Sequence, residues 1–227
     1  MGRRALRKLD PTLDLSNVLL AIEQLPQPWD AGRLFGRAAP LEVEVGSGKG
    51  LFLAAAAAAR PDTNFLGIEL AKKYAEHAAA RALRRGLGTN VRVVAGDALR
   101  VFRDLIPDAS IDAIHVYFPD PWWKARHKKR RVMNEAFARD IERTLKPSGS
   151  LHFWSDVEEY FRTTLELLKT TTRLEGPFDV PERPAEHDLD YRTHFERRMR
   201  LHGQPVYRAE FRRQEEGRSA VDAGTAR

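Results

Sequence analysis

Several features that would restrict the chemistry of a protein are absent from this sequence of 227 residues. It has no cysteine, which excludes disulfides, thiolate-ligated metals and cysteine nucleophiles. No apolar run approaches the roughly 20 residues needed to cross a bilayer. The basic N-terminus, MGRRALRKLD, is not followed by the apolar stretch of a secretory signal. We therefore expect a cytoplasmic protein with no membrane partner, whose reactivity comes from other side chains.

Histidine also lacks the spacing of a metal site or a hydrolytic triad. His77, His115 and His187 have no further histidine or acid at ligand spacing, and no Ser-His-Asp arrangement stands out. We therefore expect no metal.

The charge in the sequence is positive and clustered. Thirty-eight Lys and Arg against 32 Asp and Glu give a formal net charge of +6, and six of the basic residues lie between Lys124 and Arg131. Such a run releases counterions when it neutralises phosphates, so it predicts a nucleic-acid partner. A solvated charge run or a localisation-like signal is the alternative.

Strand-like and helix-like stretches alternate through the middle of the chain. The apolar runs are LEVEVG, NFLGIEL, VRVVAGD, IDAIHVYF and SLHFWSD, and helix-like stretches separate them. Repeated strand-helix units predict a parallel sheet. The last segment, QPVYRAEFRR, alternates its side chains as an edge strand does. We predict a Rossmann-like, doubly wound α/β fold with a seven-stranded sheet, mostly parallel with an antiparallel edge strand.

The two ends of the chain differ from this alternating region. Residues 1–38 are rich in Arg and Pro and show no clear strand, so we predict a basic N-terminal arm that packs or orders only with a partner. Residues 39–214 form the predicted catalytic domain, and residues 215–227 form a predicted disordered tail.

A glycine-rich turn follows the first strand-like run. The segment GSGKG places Gly46, Gly48 and Gly50 where a ligand can approach bare backbone. A phosphate-binding P-loop is excluded, because Lys49 comes too early and is followed by glycine. A dinucleotide-binding turn is weakened, because Leu51 stands where a small third residue is needed. A dinucleotide-binding turn remains an alternative. A further alternative is a glycine turn that joins strand to helix and binds no ligand.

Acids surround this turn. An acid before G-x-G-x-G resembles the first motif of Rossmann-like S-adenosylmethionine-dependent methyltransferases, with Glu44 two residues before Gly46. Glu69 ends the second run roughly 20 residues after the turn, where a carboxylate can accept both ribose hydroxyls of an adenosine-containing ligand. Asp97 ends the third run, where the resemblance implies a contact with adenine. Asp120 follows the fourth strand-like run. We expect these four strand-end acids to lie around one crevice. The alternative is that each is an ordinary solvated acid at a strand end.

The most specific stretch is YFPDPWWKARHKKRR, residues 117–131. It resembles the bacterial tRNA (guanine-N7-)-methyltransferase family, whose fourth strand ends in Phe-x-Asp-Pro-Trp, then Lys, Arg-His and a basic cluster. The resemblance runs from residue 41 to residue 212 and includes IEL at Glu69, HFWSD at Asp156, RTHFERR and GQPVYRAE. Trp123 departs mildly from the pattern, since Pro or a basic residue is common there.

The resemblance implies S-adenosylmethionine as cofactor, tRNA as partner, and a set of site residues. Asp120 would be catalytic, and the cofactor would be bound by Glu44, Gly46, Glu69, Asp97 and Asp120. The implied substrate-binding residues are Lys124, Asp156, Thr193, His194, Phe195 and Glu196. The predicted RNA-binding residues, called the basic strip below, are Arg126, His127, Lys128, Lys129, Arg130 and Arg131.

Guanine N7 as acceptor agrees with the residues present. Amino-methylating relatives carry Asn-Pro-Pro-Tyr at this position, whose carbonyl oxygens accept the hydrogens of an exocyclic amine, whereas this chain has Asp-Pro-Trp. N7 has a lone pair and no proton to remove, so the protein must only align it and balance the charge that methylation brings. We hypothesise that Asp120 accepts from guanine N1 and N2 and that Lys124 donates to O6. Trp122 or Trp123 could stack on the base; core packing is the alternative.

The sequence therefore predicts methylation of guanine N7 in tRNA, and the resemblance places that guanine in the variable loop. Two alternatives stay open. One is a catalytically silent RNA-binding protein on a methyltransferase scaffold, and the other is a nicotinamide-dependent oxidoreductase, which the glycine turn and Glu69 favour. The oligomeric state is not predicted.

Overall fold

A computed structural model describes residues 6, 8–122, 125–182, 184 and 191–215. Its strands are β1 (Leu19–Ala21), β2 (Leu41–Val45), β3 (Asn64–Glu69), β4 (Val91–Ala95), β5 (Ile111–Tyr117), β6 (Leu145–Ser155), β7 (Glu175–Asp179) and β8 (Tyr207–Arg212). Its α-helices are α1 (Ala31–Phe35), α2 (Leu51–Ala59), α3 (Lys72–Arg84), α4 (Ala98–Asp104), α5 (Glu135–Thr144), α6 (Glu158–Thr171) and α7 (His194–Leu201). Two short 3₁₀ helices are Ile22–Gln24 and Ala125–Arg130.

The strands form one sheet in the order β1-β4-β3-β2-β5-β6-β8-β7. Neighbours from β1 to β6 are parallel, whereas β8 is antiparallel to both β6 and β7. The predicted doubly wound α/β fold is confirmed. The chain winds outward from β2 through β3 to β4 and then crosses back to β5, so the strand order reverses between β2 and β5. Ligands of open α/β sheets bind in the crevice at such a switch point.

The sheet has eight strands where seven were predicted, and the extra strand lies in the predicted N-terminal arm. β1 pairs with β4 in parallel, and the buried Val18 accepts a backbone hydrogen bond from Val93 at 2.7 Å. Ile22 and Phe35 are buried in the core. The prediction that residues 1–38 contain no strand is therefore wrong. A strand of three residues is too short to show an alternating pattern.

The strand predicted from QPVYRAEFRR is β8, and its side chains alternate between the two faces of the sheet as predicted. Ala209 and Phe211 are buried on one face of the sheet. β8 lies second from the edge, because β7, whose residues are all exposed, pairs with its outer side. Of the predicted tail, residues 216–227 lie outside the described residues.

Two hydrophobic cores separate the layers of the fold. Side chains of α4, α5 and α6 pack on one face of the sheet, and those of α2 and α3 pack on the other. Local chemistry sets the helix ends: Asn134 caps α5 by accepting from the Phe137 amide, and Gly86 takes a positive φ after α3. In the described part of the chain, no helix is long and apolar enough to cross a bilayer.

Candidate active site

The four predicted strand-end acids lie where the switch point requires them. Glu44 is near the carboxyl end of β2, Glu69 ends β3, Asp97 follows β4 and Asp120 follows β5. These four strands are neighbours in the sheet, in the order β4-β3-β2-β5. Their carboxyl ends therefore share one edge, as the sequence predicts.

The glycine turn after β2 leaves an open cradle. Gly46, Gly48 and Gly50 all have positive φ, a conformation that other residues adopt at a cost. No heavy atom lies within 4 Å of the position that a Cβ would take at Gly46 or Gly48. Gly50 faces inward instead, where a Cβ would come within 2.8 Å of the Ala78 Cβ. The turn thus packs tightly against α3 on one side and exposes bare backbone on the other.

Glu69 is fixed by backbone amides. Its Oε2 accepts from the Gly48 amide at 2.8 Å and its Oε1 accepts from the Ala71 amide at 2.9 Å. Each carboxylate oxygen has a second lone pair, so the side chain can still accept from two ligand hydroxyls. The next residue, Leu70, is an exposed hydrophobic residue, with 76% of its surface accessible. Sequence reasoning missed Leu70, although an apolar residue directly after a strand-end acid was visible.

Glu44 lies below the turn and is almost completely buried. Its Oε2 has no hydrogen-bond partner among the described residues. Burial, and then the nearby charge of Glu69, raise the pKa of Glu44 well above its ordinary value of 4.5. A buried carboxyl oxygen without a partner is costly, unless a ligand donates to it.

Asp97 is exposed and also has a structural role. It is the N-cap of α4, and its Oδ1 accepts from the Leu99 amide at 2.9 Å. Its other carboxylate oxygen makes no hydrogen bond with the described residues, so an adenine contact at this position remains a prediction.

The loop after β5 presents Asp120 on a constrained backbone. Phe118 and Trp122 both have positive φ, 51° and 45°, which is uncommon for large side chains. Between them, Pro119 and Pro121 fix the φ angles on either side of Asp120. Asp120 is exposed and makes no hydrogen bond with the described residues. Backbone strain of this kind clusters at functional sites.

Arg131 holds this loop from inside the protein. Its Nε donates to the Pro121 carbonyl at 2.8 Å, and its guanidinium lies 4.6 Å from the centre of the Tyr160 ring. Only 9% of Arg131 is exposed. This placement argues against the RNA contact predicted for Arg131 and gives it a positioning role beside Asp120.

The start of α7 lies against the same loop. The rings of Phe195 and Phe118 stack with their centres 6.0 Å apart, and the Arg198 guanidinium lies 4.5 Å from the centre of the Phe195 ring. Thr193 caps α7 by accepting from the Glu196 amide at 3.0 Å. The buried Glu196 accepts from the Arg192 amide at 2.6 Å. Thr193 and Glu196 thus form a capping pair, T-x-x-E, a pattern that is visible in the sequence.

A chain of buried polar contacts links α2 to the residue before Thr193. Glu42 pairs with Arg60, and its Oε2 lies 2.8 Å from Nε2 of His115. Nδ1 of His115 lies 2.9 Å from the Tyr117 hydroxyl, to which Arg192 donates at 3.0 Å. Burial would raise the pKa of Glu42, but hydrogen bonds from His115 and Arg60 lower it to about 2. The network places Arg192, and with it the start of α7.

The chain matches known methyltransferases over most of its length. A family model described as "Putative methyltransferase" matches residues 38–209. The tRNA (guanine-N(7)-)-methyltransferase of Rhodopirellula baltica is 48% identical over 219 residues, which is 94% of this chain and 80% of that protein. A protein of the same name from Yersinia enterocolitica is 37% identical, over 87% of this chain and 82% of its own. The chain belongs to the tRNA (guanine-N7-)-methyltransferase family.

The resemblance inferred from residues 117–131 is therefore confirmed. The fold agrees with it: the crystal structure of the aminoglycoside resistance methyltransferase NpmB1 superposes with a TM-score of 0.57 at 19% identity, covering 84% of this chain and 94% of that one. At this identity the likeness concerns the fold alone. The roles of individual residues remain predictions in this tRNA (guanine-N7-)-methyltransferase family member.

The remaining predicted residues are only partly described. Asp156 is half-buried directly after β6. In the basic strip, Arg126 and Arg130 are exposed, Arg130 lies 5.2 Å from the Trp122 ring centre, and His127 meets that ring edge-on at 5.7 Å. The residues that lie outside the described part, wholly or in their side chains, are Trp123, Lys124, Lys128, Lys129 and His194.

Proposed function

We propose that this protein transfers the methyl group of S-adenosylmethionine to N7 of a guanine in the variable loop of tRNA. The observation that carries the proposal is the placement of Asp120. This chain belongs to the family, and its Asp120 is exposed on a constrained loop at the switch point. The loop lies between the glycine turn and the start of α7. A tRNA substrate also favours the cytoplasmic location expected from the sequence.

The residues around the glycine turn fit the cofactor. Glu44 offers a buried oxygen without a partner, which suits a positively charged donor group. Glu69 keeps lone pairs for ribose hydroxyls, and exposed Leu70 offers an apolar surface for a planar ring. We assign Glu44, Gly46, Glu69, Asp97 and Asp120 to cofactor binding. When bound, the cofactor supplies an electrophilic methyl group on a sulfonium.

Asp120 and Lys124 would orient the base. A carboxylate accepts from guanine N1 and N2, which adenine does not match, and an ammonium donates to O6. As N7 gains a positive charge, the carboxylate of Asp120 stabilises it, and no proton has to be removed at N7. The side chain therefore serves both selection and charge stabilisation.

We assign the tRNA contacts to the other predicted residues on the same side of the crevice. Phe195, exposed beside Phe118, offers a ring for stacking. Exposed Arg126 and Arg130 in the basic strip suit phosphates. Asp156, Thr193, His194 and Glu196 would support this surface, with Thr193 and Glu196 fixing α7 as described above.

The proposal is tested by incubating the protein with methyl-labelled cofactor and total tRNA, followed by nucleoside analysis. We expect label in 7-methylguanosine. Label in another nucleoside would contradict guanine N7. Tight tRNA binding without any transfer would instead indicate the silent RNA-binding alternative. Calorimetry with S-adenosylhomocysteine and with NAD distinguishes a methyltransferase from the oxidoreductase alternative. We expect a heat of binding with S-adenosylhomocysteine and none with NAD.

A further inference from the structure

A second basic surface lies outside the proposed active site, on the outer side of α3. An open cavity of about 270 Å³ is lined by five basic residues, Lys49, His77, Arg81, Arg84 and Arg85. No acid lines it. We call these five residues the α3 cluster. It is separate in sequence from the basic strip.

The α3 cluster is built on rigid parts of the fold. His77, Arg81 and Arg84 are spaced four and three residues apart, which places them on one face of α3. Arg81 Nε donates to the Lys49 carbonyl at 2.9 Å and thereby joins the helix to the glycine turn. The close approach of Gly50 to Ala78 locks the same two elements together. The basic groups are therefore held in fixed positions relative to the turn.

The electrostatics of the cluster favour an anion. Burial, and then Lys49, lower the pKa of His77, against the opposing charge of Glu76. Burial, and then Arg85, lower the pKa of Arg81. Arg84 and Arg85 are exposed and make no ion pair with an acid in the described part of the chain. Neighbouring cations disfavour each other's charged form, and an anion between them relieves that repulsion.

We propose that the α3 cluster binds backbone phosphates of tRNA, outside the crevice that takes the guanine. This inference rests on the proposed function, which supplies the tRNA. Exposed guanidinium groups around an open cavity suit phosphates, which fix the register of an RNA without reading its sequence. α3 starts at the carboxyl edge of the sheet and runs about 20 Å along its outer face. It thus extends the RNA-binding surface away from the basic strip.

The test is the double variant Arg84→Gln/Arg85→Gln in the full chain. Both residues are exposed, so the fold should persist. We expect tRNA affinity, measured by fluorescence anisotropy, to fall about 5- to 10-fold for each lost phosphate contact near 0.1 M salt. The slope of log affinity against log salt should become shallower by about 1 to 2. Affinity for S-adenosylhomocysteine should not change.

Two matched variants serve as controls. Arg84→Lys/Arg85→Lys keeps the charge and should keep most of the slope. Arg139→Gln/Arg162→Gln removes two exposed charges from α5 and α6, on the other face of the sheet, and should leave the slope unchanged. If Arg84→Gln/Arg85→Gln unfolds, a photocrosslinking residue at position 85 replaces it, and its failure to crosslink tRNA would overturn the proposal.

The outcomes separate this inference from the proposed function. A wild-type protein that neither binds nor methylates tRNA contradicts the proposed function. Wild-type activity together with an unchanged slope in Arg84→Gln/Arg85→Gln overturns the α3 cluster alone. A variant that loses affinity for inorganic phosphate but keeps its tRNA slope also overturns it, because the cavity would then bind a small anion.

Discussion

The two sides of the crevice are built differently. On the cofactor side, formed by β2, β3 and β4, a carboxylate is held by backbone amides: Glu69 accepts from Gly48 and Ala71. On the base side, formed by β5, β6 and α7, long side chains hold the backbone: Arg131 binds the Pro121 carbonyl. The cofactor side is therefore set by contacts within the segment from β2 to α3, including that of Arg81 with the Lys49 carbonyl. The base side depends on contacts between more distant segments, such as Arg192 with Tyr117.

This difference predicts a separation of effects. Changes on the cofactor side should alter cofactor affinity, because they act on the cradle itself. Changes on the base side should alter the rate of methyl transfer more than they alter cofactor affinity. The following variants test that separation, from the largest expected effect to the smallest.

The largest effect is expected from Asp120→Asn. Loss of the carboxylate removes charge stabilisation at N7, and we expect kcat to fall about 10²- to 10³-fold. Single-turnover methyl transfer to tRNA measures this, and calorimetry with S-adenosylhomocysteine measures cofactor binding. Asp62→Asn, at an exposed position between α2 and β3, is the control and should retain activity. Full transfer by Asp120→Asn, with cofactor binding intact, would rule out the assigned role.

Arg131→Lys should separate positioning from binding. Lysine keeps the charge but cannot reproduce the planar contact with Tyr160 and the bond to Pro121 together. We expect kcat to fall about 10- to 100-fold through misplacement of Asp120, with little change in cofactor affinity. Arg130→Lys, an exposed neighbour, is the matched control. If tRNA affinity falls in Arg131→Lys and kcat does not, Arg131 belongs to the RNA surface after all.

Glu44→Gln should show that the buried carboxyl group of Glu44 lowers the stability of the folded protein near neutral pH. Because the pKa of Glu44 is raised above 4.5, the folded state keeps a proton that the unfolded chain loses. The contribution of this group to the free energy of unfolding therefore falls as pH rises above 4.5. The variant should be at least as stable as wild type near neutral pH and should show a flatter pH dependence in urea unfolding.

The same variant should bind S-adenosylhomocysteine about tenfold more weakly. A bound cation would favour the ionised form of Glu44, and glutamine cannot form that charge-assisted hydrogen bond. Greater stability with unchanged binding would remove Glu44 from the cofactor site. Lower stability would contradict the burial argument.

The smallest effect is expected from Thr193→Ala. Loss of the cap on α7 should lower the free energy of unfolding by about 1 kcal/mol, and hydrogen exchange should rise in α7 first. Thr170→Ala on α6 is the control, since its exposed hydroxyl donates to the Glu166 and Leu167 carbonyls within the same helix. Alanine is a good helix former there, so stability should not fall. Equal behaviour of both variants would contradict the capping role.

The same contrast explains which parts could be predicted from sequence. Gly48 and Glu69 are 21 residues apart, within one strand-helix-strand unit, and their spacing predicted that both lie at the same edge of the sheet. Arg192 and Tyr117 are 75 residues apart, and no local pattern records that they meet. Arg131 was predicted to belong to the basic strip because the residues before it are basic. A charge pattern in the sequence cannot distinguish a buried guanidinium from an exposed one. β1 was missed because three residues are too few to show a period.

One consequence concerns the order in which the protein is made. β8 supplies Arg208, which lies over Trp154 and within 3.4 Å of Glu196, so the base side is completed by a late segment. Synthesis delivers the chain from its N-terminus. We expect a nascent chain whose last emerged strand is β6 to contain every segment of the cofactor cradle, while the edge of β6 that pairs with β8 is still open. During that interval the growing chain would have a place for the methyl donor and an exposed strand open to wrong partners, until translation delivers β8.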